Sequence, residues 1–390
     1  MNESIEADLK QTEPRISHEP EEVTDISLAI NEASFPEQTR ARWWEHVRID
    51  KIVMFGVSLY LFVMAITLMK AGASGIAPLL SDLFEVSSGA NSLGFGWLFA
   101  YLIMSGSPVA AAALTFFDAG ILDEISTFAM ITGSRLGASF IVILIGFIYI
   151  VRGRDRETSL SMGTLAFTVT ASTYLPGLFL GIFFLKSGFL DSFQLSSGVL
   201  LTSVFDVMIE PIADLVAGVF PPWLVFISGI VIISFSFNLF DRCLPQMTLK
   251  ESHLGWVSRL VYRPVIMFAL GAFVTLISMS VSISLSLLVP LSYRGFIRRE
   301  NVIPYIMGAN ITTFVDTLLA SMLLENQTAF TIVLVEMLCI SIISLIILIL
   351  FYSNYRKITL NFFNWVTDST RNLVIFLITI LIIPLVLLLM

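Results

Sequence analysis

Charged side chains are scarce in this sequence: they make up 13% of its 390 residues, where a soluble protein averages about 25%. So few charges cannot clothe a water-facing surface, and a soluble enzyme is excluded. Cysteine is nearly absent, with Cys243 placed near a membrane surface and Cys339 inside an apolar run, so no disulfide framework follows. The 3 histidines, His18, His46 and His253, lie in polar segments and form no metal-ligand spacing. P-loop, G-x-G-x-x-G and G-x-S-x-G stretches are missing. No nucleophile–base pair can be assembled. The chain is therefore expected not to be an enzyme, to use no organic cofactor and to bind no nucleic acid.

What is there is apolar: 56% hydrophobic residues, 32 Phe and a mean hydropathy of +0.87. A hydrocarbon core of roughly 30 Å needs about 20 apolar residues in a helix. Spans are predicted at 52–69, 125–151, 159–185, 222–240, 301–324, 329–352 and 372–390. Two further apolar stretches are interrupted. Residues 92–117 are broken at Gly106 and Pro108. Residues 265–292 are broken by a serine ladder (Ser278, Ser280, Ser282, Ser284, Ser286) and Pro290. Irregular backbone survives at membrane depth only where protein or a water-filled cavity satisfies it, so both read as re-entrant hairpins that do not cross.

The net charge of −8 belongs to one end. Residues 1–39 hold ten acids against Lys10 and Arg15, and the remaining chain is neutral. This reads as a disordered cytoplasmic tail, with a short helix near 27–33 open to it. With a cytoplasmic N-terminus and hairpins that do not cross, 19 bases fall on the cytoplasmic side and only Lys70 and Lys186 on the other. That bias is what the positive-inside rule asks for. Arg135 is the one base left in mid-span. Trp43 and Trp44, and Trp256 with Tyr262, read as interfacial anchors. Between the halves, Asp206, Glu210 and Asp214 recur at i, i+4, i+8. Segment 192–221 is read as an amphipathic linker helix, with a cation-lining stripe as the alternative.

A shift of 175 residues superimposes landmarks: Gly96 on Gly271, Met104 on Met279, Ser105 on Ser280, Ser107 on Ser282, Gly120 on Gly295, Ile131 on Ile306 and Gly133 on Gly308. Equivalent loops carry opposite charge. Asp118, Asp123 and Glu124 answer Arg294, Arg298 and Arg299, while Arg152, Arg154 and Arg156 answer a loop holding only Glu325. An inverted repeat predicts that reversal. The expected fold is an all-α polytopic membrane protein of two inverted-topology repeats, 40–191 and 222–390, each with a re-entrant hairpin and broken helices.

The second copy reads M-S-V-S-I-S from Met279, then P-Y-I-M-G-A-N-I-T-T over 304–313. This resembles the type II sodium–phosphate cotransporter family, in which a Q-S-S-S stretch and a following G-A-N-I-G-T-T occur in two inverted copies. The resemblance covers roughly 50–330. It implies two hairpins meeting near the membrane centre, and transport of phosphate coupled to Na+. Here Met104 and Met279 replace both glutamines, and one serine is lost from each copy. The first G-A-N has become Gly133, Ser134, Arg135.

On that resemblance Ser105, Ser107, Ser280, Ser282, Arg135 and Asn310 are the expected substrate-binding residues. Hydroxyls and helix N-termini hold an anion without full charges in a low-dielectric site. Ser139, Asn310, Thr312, Thr313 and Asp316 are the expected oxygen ligands of Na+. Ordinary alternatives stand beside these. Small serines allow close helix packing, and the Asn and Thr side chains satisfy broken-helix backbone. Arg135 is open to three readings: an ion pair with Asp316, an anion ligand, or a substitute for one bound cation. The polar run Thr164, Thr168, Thr170, Ser172, Thr173, Tyr174 reads as back-bonding near the Pro176 kink, with a pathway lining as the alternative. Two other functions stay in view: the same fold moving another anion or using another coupling ion, and a non-transporting membrane sensor or scaffold whose acidic tail binds a cytoplasmic partner. A homodimer is left open.

Overall fold

The computed structural model describes residues 49–80, 88–151, 156–188, 199–243, 263–281, 284–285, 298–324 and 326–390. The acidic tail, the four interfacial aromatics, Ser282, Ser286 and Pro290 lie outside the described residues. Among the described residues there is no strand. In chain order the helices are α1 (Ile49–Gly72), α2 (Gly89–Ile103), α3 (Ser107–Asp118), α4 (Glu124–Val151), α5 (Arg156–Ser187), α6 (Val199–Val219) and α7 (Pro222–Cys243). There follow α8 (Pro264–Ser278), α9 (Arg299–Thr312), α10 (Phe314–Leu323), α11 (Gln327–Ile346), α12 (Tyr352–Asp368) and α13 (Thr370–Leu388).

Seven helical stretches are long and apolar enough to cross a membrane, and they fall where the apolar runs predicted spans. The chain is a multi-pass membrane protein. Two boundaries differ from the sequence reading. The span read as 329–352 does not stop: a π-helical turn, Ile347–Phe351, carries α11 directly into α12. Hydropathy falls where Ser353, Asn354, Arg356 and Lys357 begin, but the backbone ladder needs no apolar side chains. One face of α12 still buries Thr359, Phe363 and Val366. The second difference is Pro108. It does not break the chain but lies in the first turn of α3, where its missing N–H leaves no hydrogen bond unmade. Segment 192–221 holds α6, on which Glu210 and Asp214 are exposed while Ile209 and Ala213 are buried.

The interruptions themselves are alike. Helices α2 and α8 are both 15 residues long, and each ends on a methionine in the left-handed region, Met104 at φ 58° and Met279 at φ 50°. These are the two non-glycine residues with positive φ among those described. An L side chain there costs roughly 1–2 kcal/mol, so the surrounding packing must hold both turns.

Glycines supply that packing. A Cβ on Gly96 would lie 2.2 Å from the Met130 carbonyl oxygen, and one on Gly133 2.2 Å from that of Leu93. In the second half, Gly271 would meet the Tyr305 oxygen at 2.0 Å, and Gly308 that of Phe268 at 2.0 Å. Each second-half residue lies 175 positions after its first-half counterpart. The α2–α4 and α8–α9 crossings are thus built by one device, close backbone approach through small residues.

A third contact joins the halves. Ser58 Oγ of α1 donates to the Ser236 carbonyl at 2.7 Å, and Ser236 Oγ of α7 donates to the Ser58 carbonyl at 2.7 Å. The exchange looks the same from either helix. The C-terminal α13 covers α2, with Asn91 Nδ2 donating to the Leu388 carbonyl at 3.0 Å and Tyr101 Oη to that of Ile380 at 2.8 Å.

Gly308→Ala is expected to push α8 from α9 and to cost about 1–3 kcal/mol, as overpacked cores do. Gly56→Ala, at a glycine with nothing within 4 Å of its added carbon, is expected to be neutral or slightly stabilising, since alanine favours helix. Thermal unfolding of the two variants in detergent checks the contrast.

Candidate functional site

The left-handed turn at Met104 stops α2 and lets the chain restart as α3 three residues later. Gly106, whose Cβ would lie 2.8 Å from the Ser134 carbonyl oxygen, lets this break press onto α4. Ser105 and Ser107 are thereby held beside Arg135, at the positive end of α3. The second break leaves Ser280 and Val281 facing the same space.

Both breaks open on one cavity of about 60 Å³, whose wall is completed by Arg135 and Ser139 of α4, Thr170 and Tyr174 of α5, Asn310 of α9 and Thr313. A pocket for an organic ligand of drug size runs to roughly 300–1,000 Å³. This one has room for a small ion and a few waters.

Arg135 is 6% exposed, and oxygens surround it. Its Nη1 donates to Ser107 Oγ at 3.2 Å and to Thr313 Oγ1 at 3.3 Å. Its Nη2 donates to Asp316 Oδ1 at 3.1 Å, to the Thr313 carbonyl at 3.4 Å and to Thr317 Oγ1. The Phe314 ring lies 5.0 Å from the guanidinium carbon. The ion pair with Asp316 expected from sequence therefore forms, and it is buried on both sides. Arg135 Nε and Asp316 Oδ2 have no hydrogen-bond partner among the described residues.

Asn310, the positional counterpart of Arg135, makes different contacts. Its Nδ2 donates to Thr170 Oγ1 at 3.1 Å, and its carbonyl accepts from Tyr174 Oη at 2.8 Å. Tyr174 in turn stacks on Phe314, with ring centroids 5.8 Å apart. The two positions are thus linked through one aromatic pair.

Of the residues proposed from sequence, Ser105, Ser107, Ser280, Arg135, Asn310, Ser139 and Thr313 line the cavity. Ser282 lies outside the described residues. Ser139 Oγ donates back to the Leu136 carbonyl at 2.6 Å, which leaves its lone pairs for the cavity. Thr312 does not line it; its hydroxyl donates to the Gly308 carbonyl at 3.4 Å. Asp316 is behind Arg135 rather than on the wall.

Four residues were not singled out as site members: Thr170, Tyr174, Thr317 and Glu336. The first two sat in the polar run of α5, where Thr168, Ser172 and Thr173 do bond back to their own helix. Glu336, 1% exposed on α11, is the one acid in its apolar run, and its Oε1 lies 2.8 Å from Thr132 Oγ1. The available signal was the rule that an intramembrane carboxyl is functional by default.

Removing one partner of a buried ion pair costs about 3–5 kcal/mol, whereas exchanging both for apolar groups is often neutral. Asp316→Ala is therefore expected to destabilise by about that amount, and Arg135→Met with Asp316→Leu to recover most of it. A double-mutant cycle on thermal unfolding in detergent checks this, with additive losses counting against the pairing.

Comparison with known proteins gave one match. The model of the family described as Na+/Pi-cotransporter matches residues 232–364, about a third of the chain, from within α7 to within α12. No curated protein and no solved structure matches. The matched segment contains the Met279 break, Ser280, Asn310, Thr313 and Asp316, and in this segment the chain is similar to the Na+/Pi-cotransporter family.

Proposed function

We propose that the chain is a sodium-coupled symporter of inorganic phosphate, working by alternating access between two inverted repeats with a re-entrant hairpin in each. The family match supports a sodium-coupled phosphate transporter in general. The observation that carries the finer reading is convergence. Two chain breaks, 175 residues apart and ending on methionines of the same unusual conformation, face one small cavity of mixed apolar and hydroxyl-bearing lining. Ser105, Ser107 and Ser280 offer hydroxyl donors there, and α3 offers its N-terminus, a favourable place for an anion.

Coupling follows from charge. A negative interior opposes entry of an anion by about 2.3 kcal/mol per charge per 100 mV, so accumulation of phosphate needs cations that move with it. Ser139, Thr313 and Asn310 offer oxygens at the cavity wall for Na+, a hard cation that takes oxygen ligands. Arg135 acts as a built-in cation. Its two terminal nitrogens reach three hydroxyls, a carbonyl and a carboxylate, an all-oxygen set of the kind that holds a metal cation.

Uptake of labelled phosphate into proteoliposomes, with and without an inward Na+ gradient, tests the main reading. Gradient-dependent phosphate uptake is expected. Uptake of a different anion, or dependence on another ion, moves the assignment to the same fold with other cargo. Tight binding without flux favours a sensor or scaffold. Ser105→Ala with Ser280→Ala is expected to raise the phosphate KM by about a hundredfold or more, since each hydrogen bond to a charged group contributes about 1.5–3 kcal/mol.

For the built-in cation, the ratio of transport-linked current to phosphate flux is compared between wild type and Arg135→Asn. One extra positive charge per phosphate is expected. An unchanged ratio in a transport-competent mutant sinks that part of the reading.

A further inference from the structure

Glu336 takes no part in the cavity wall, yet its surroundings are unusual for an acid. Thr132 Oγ1 lies 2.8 Å from Glu336 Oε1 and 3.0 Å from the Phe128 carbonyl oxygen. A threonine hydroxyl has one hydrogen, so it cannot serve both acceptors. Both contacts are satisfied together when the carboxyl is a neutral acid. Its O–H then donates to Thr132 Oγ1, and Thr132 donates to Phe128.

The other oxygen agrees. Glu336 Oε2 is buried with no hydrogen-bond partner among the described residues. As the carbonyl oxygen of a neutral acid it is tolerable there. As half of a carboxylate it would be a bare charge in a low-dielectric interior. The groups that act on Glu336 are Arg135 and Thr132 from α4 and Tyr174 from α5, with Cys339 one turn along on α11. Asp316 of α10 faces the same Tyr174. Helices α3 and α9 also pack on α11 and bring no acting charge to Glu336 among the described residues. Arg135 is already paired with Asp316 at 3.1 Å. An ionised Glu336 would add a second negative charge beside Arg135, which Asp316 already pairs.

We propose that Glu336 is a proton-binding site linked to the anion cavity: it carries a proton when the cavity holds an anion, so anion and proton are bound together. The linkage rests on reading the cavity as an anion site; the protonation rests on the geometry around Thr132. The coupling is electrostatic and reciprocal. An anion beside Arg135 disfavours a second negative charge at Glu336, and ionising Glu336 weakens the anion by the same factor.

Two measurements decide it. Infrared difference spectra of the purified protein without phosphate, at neutral pH, are expected to show the carbonyl-stretch band of a buried carboxylic acid that is missing from E336Q. No such difference overturns the proposal. A band that Na+ abolishes at constant pH overturns it in favour of a metal cation. Should E336Q fail to fold, T132V removes the hydroxyl that accepts the acid proton and is expected to shift the band; an unmoved band overturns the assignment.

The second measurement is equilibrium binding of labelled phosphate between about pH 6 and 9. The affinity of wild type relative to E336Q is expected to fall by up to about tenfold per pH unit once Glu336 ionises. Taking the ratio cancels the titration of phosphate itself. A constant ratio overturns the linkage. If phosphate binds neither protein, the phosphate reading of the cavity fails, while the infrared band still decides whether Glu336 holds a proton.

Discussion

A guanidinium in the interior of a membrane protein is the constraint on which the rest of the site depends. Arg135 is cut off from bulk water, at 6% exposed, and it cannot lose its proton. The surrounding helices therefore have to supply oxygens, and they do so from three directions: Ser107 at the start of α3, Thr313 at the kink between α9 and α10, and Asp316 with Thr317 in the first turn of α10. The Phe314 ring, the aromatic neighbour Tyr174 and the carbonyl of Asn310 extend this arrangement to the far wall of the cavity.

The pairing also tempers the site. An Arg135 neutralised by Asp316 leaves an anion to be held chiefly by hydroxyls and a helix end. As the proposed phosphate site, it would select acceptor-rich ions yet be weak enough to release them. A lone guanidinium would bind tightly and hold on.

Much of this was legible in the sequence, for identifiable reasons. Runs of about 20 apolar residues mark spans because the hydrocarbon thickness fixes them. Arg135 stood out as the single base in mid-span, and Asp316 as its partner. The 175-residue register found the glycines whose sterics the crossings now explain. Other features left no pattern to read. Methionine is not a usual residue for a left-handed helix end, where glycine or asparagine is the common signal, so Met104 and Met279 read as lost glutamines rather than as turns. Hydroxyl direction is likewise invisible. Thr170 faces the cavity while Thr168, two residues earlier, bonds its own helix, and Thr312 turns back where Thr313 does not. Glu336 vanished in the average of an apolar stretch, since one carboxyl barely moves a 20-residue mean.

The Arg135 contacts also say where the molecule is welded. They tie α4, which carries the first-half motif, to α10, which follows the second-half motif, through charge-assisted bonds shielded from water. Pulling these helices apart would strand a cation in oil. The Ser58–Ser236 exchange between α1 and α7 is a neutral pair of hydroxyl bonds, less costly to break. Separating helices is therefore more costly between α4 and α10 than at the α1–α7 crossing, so the lining of the cavity is the stiffer seam of the two.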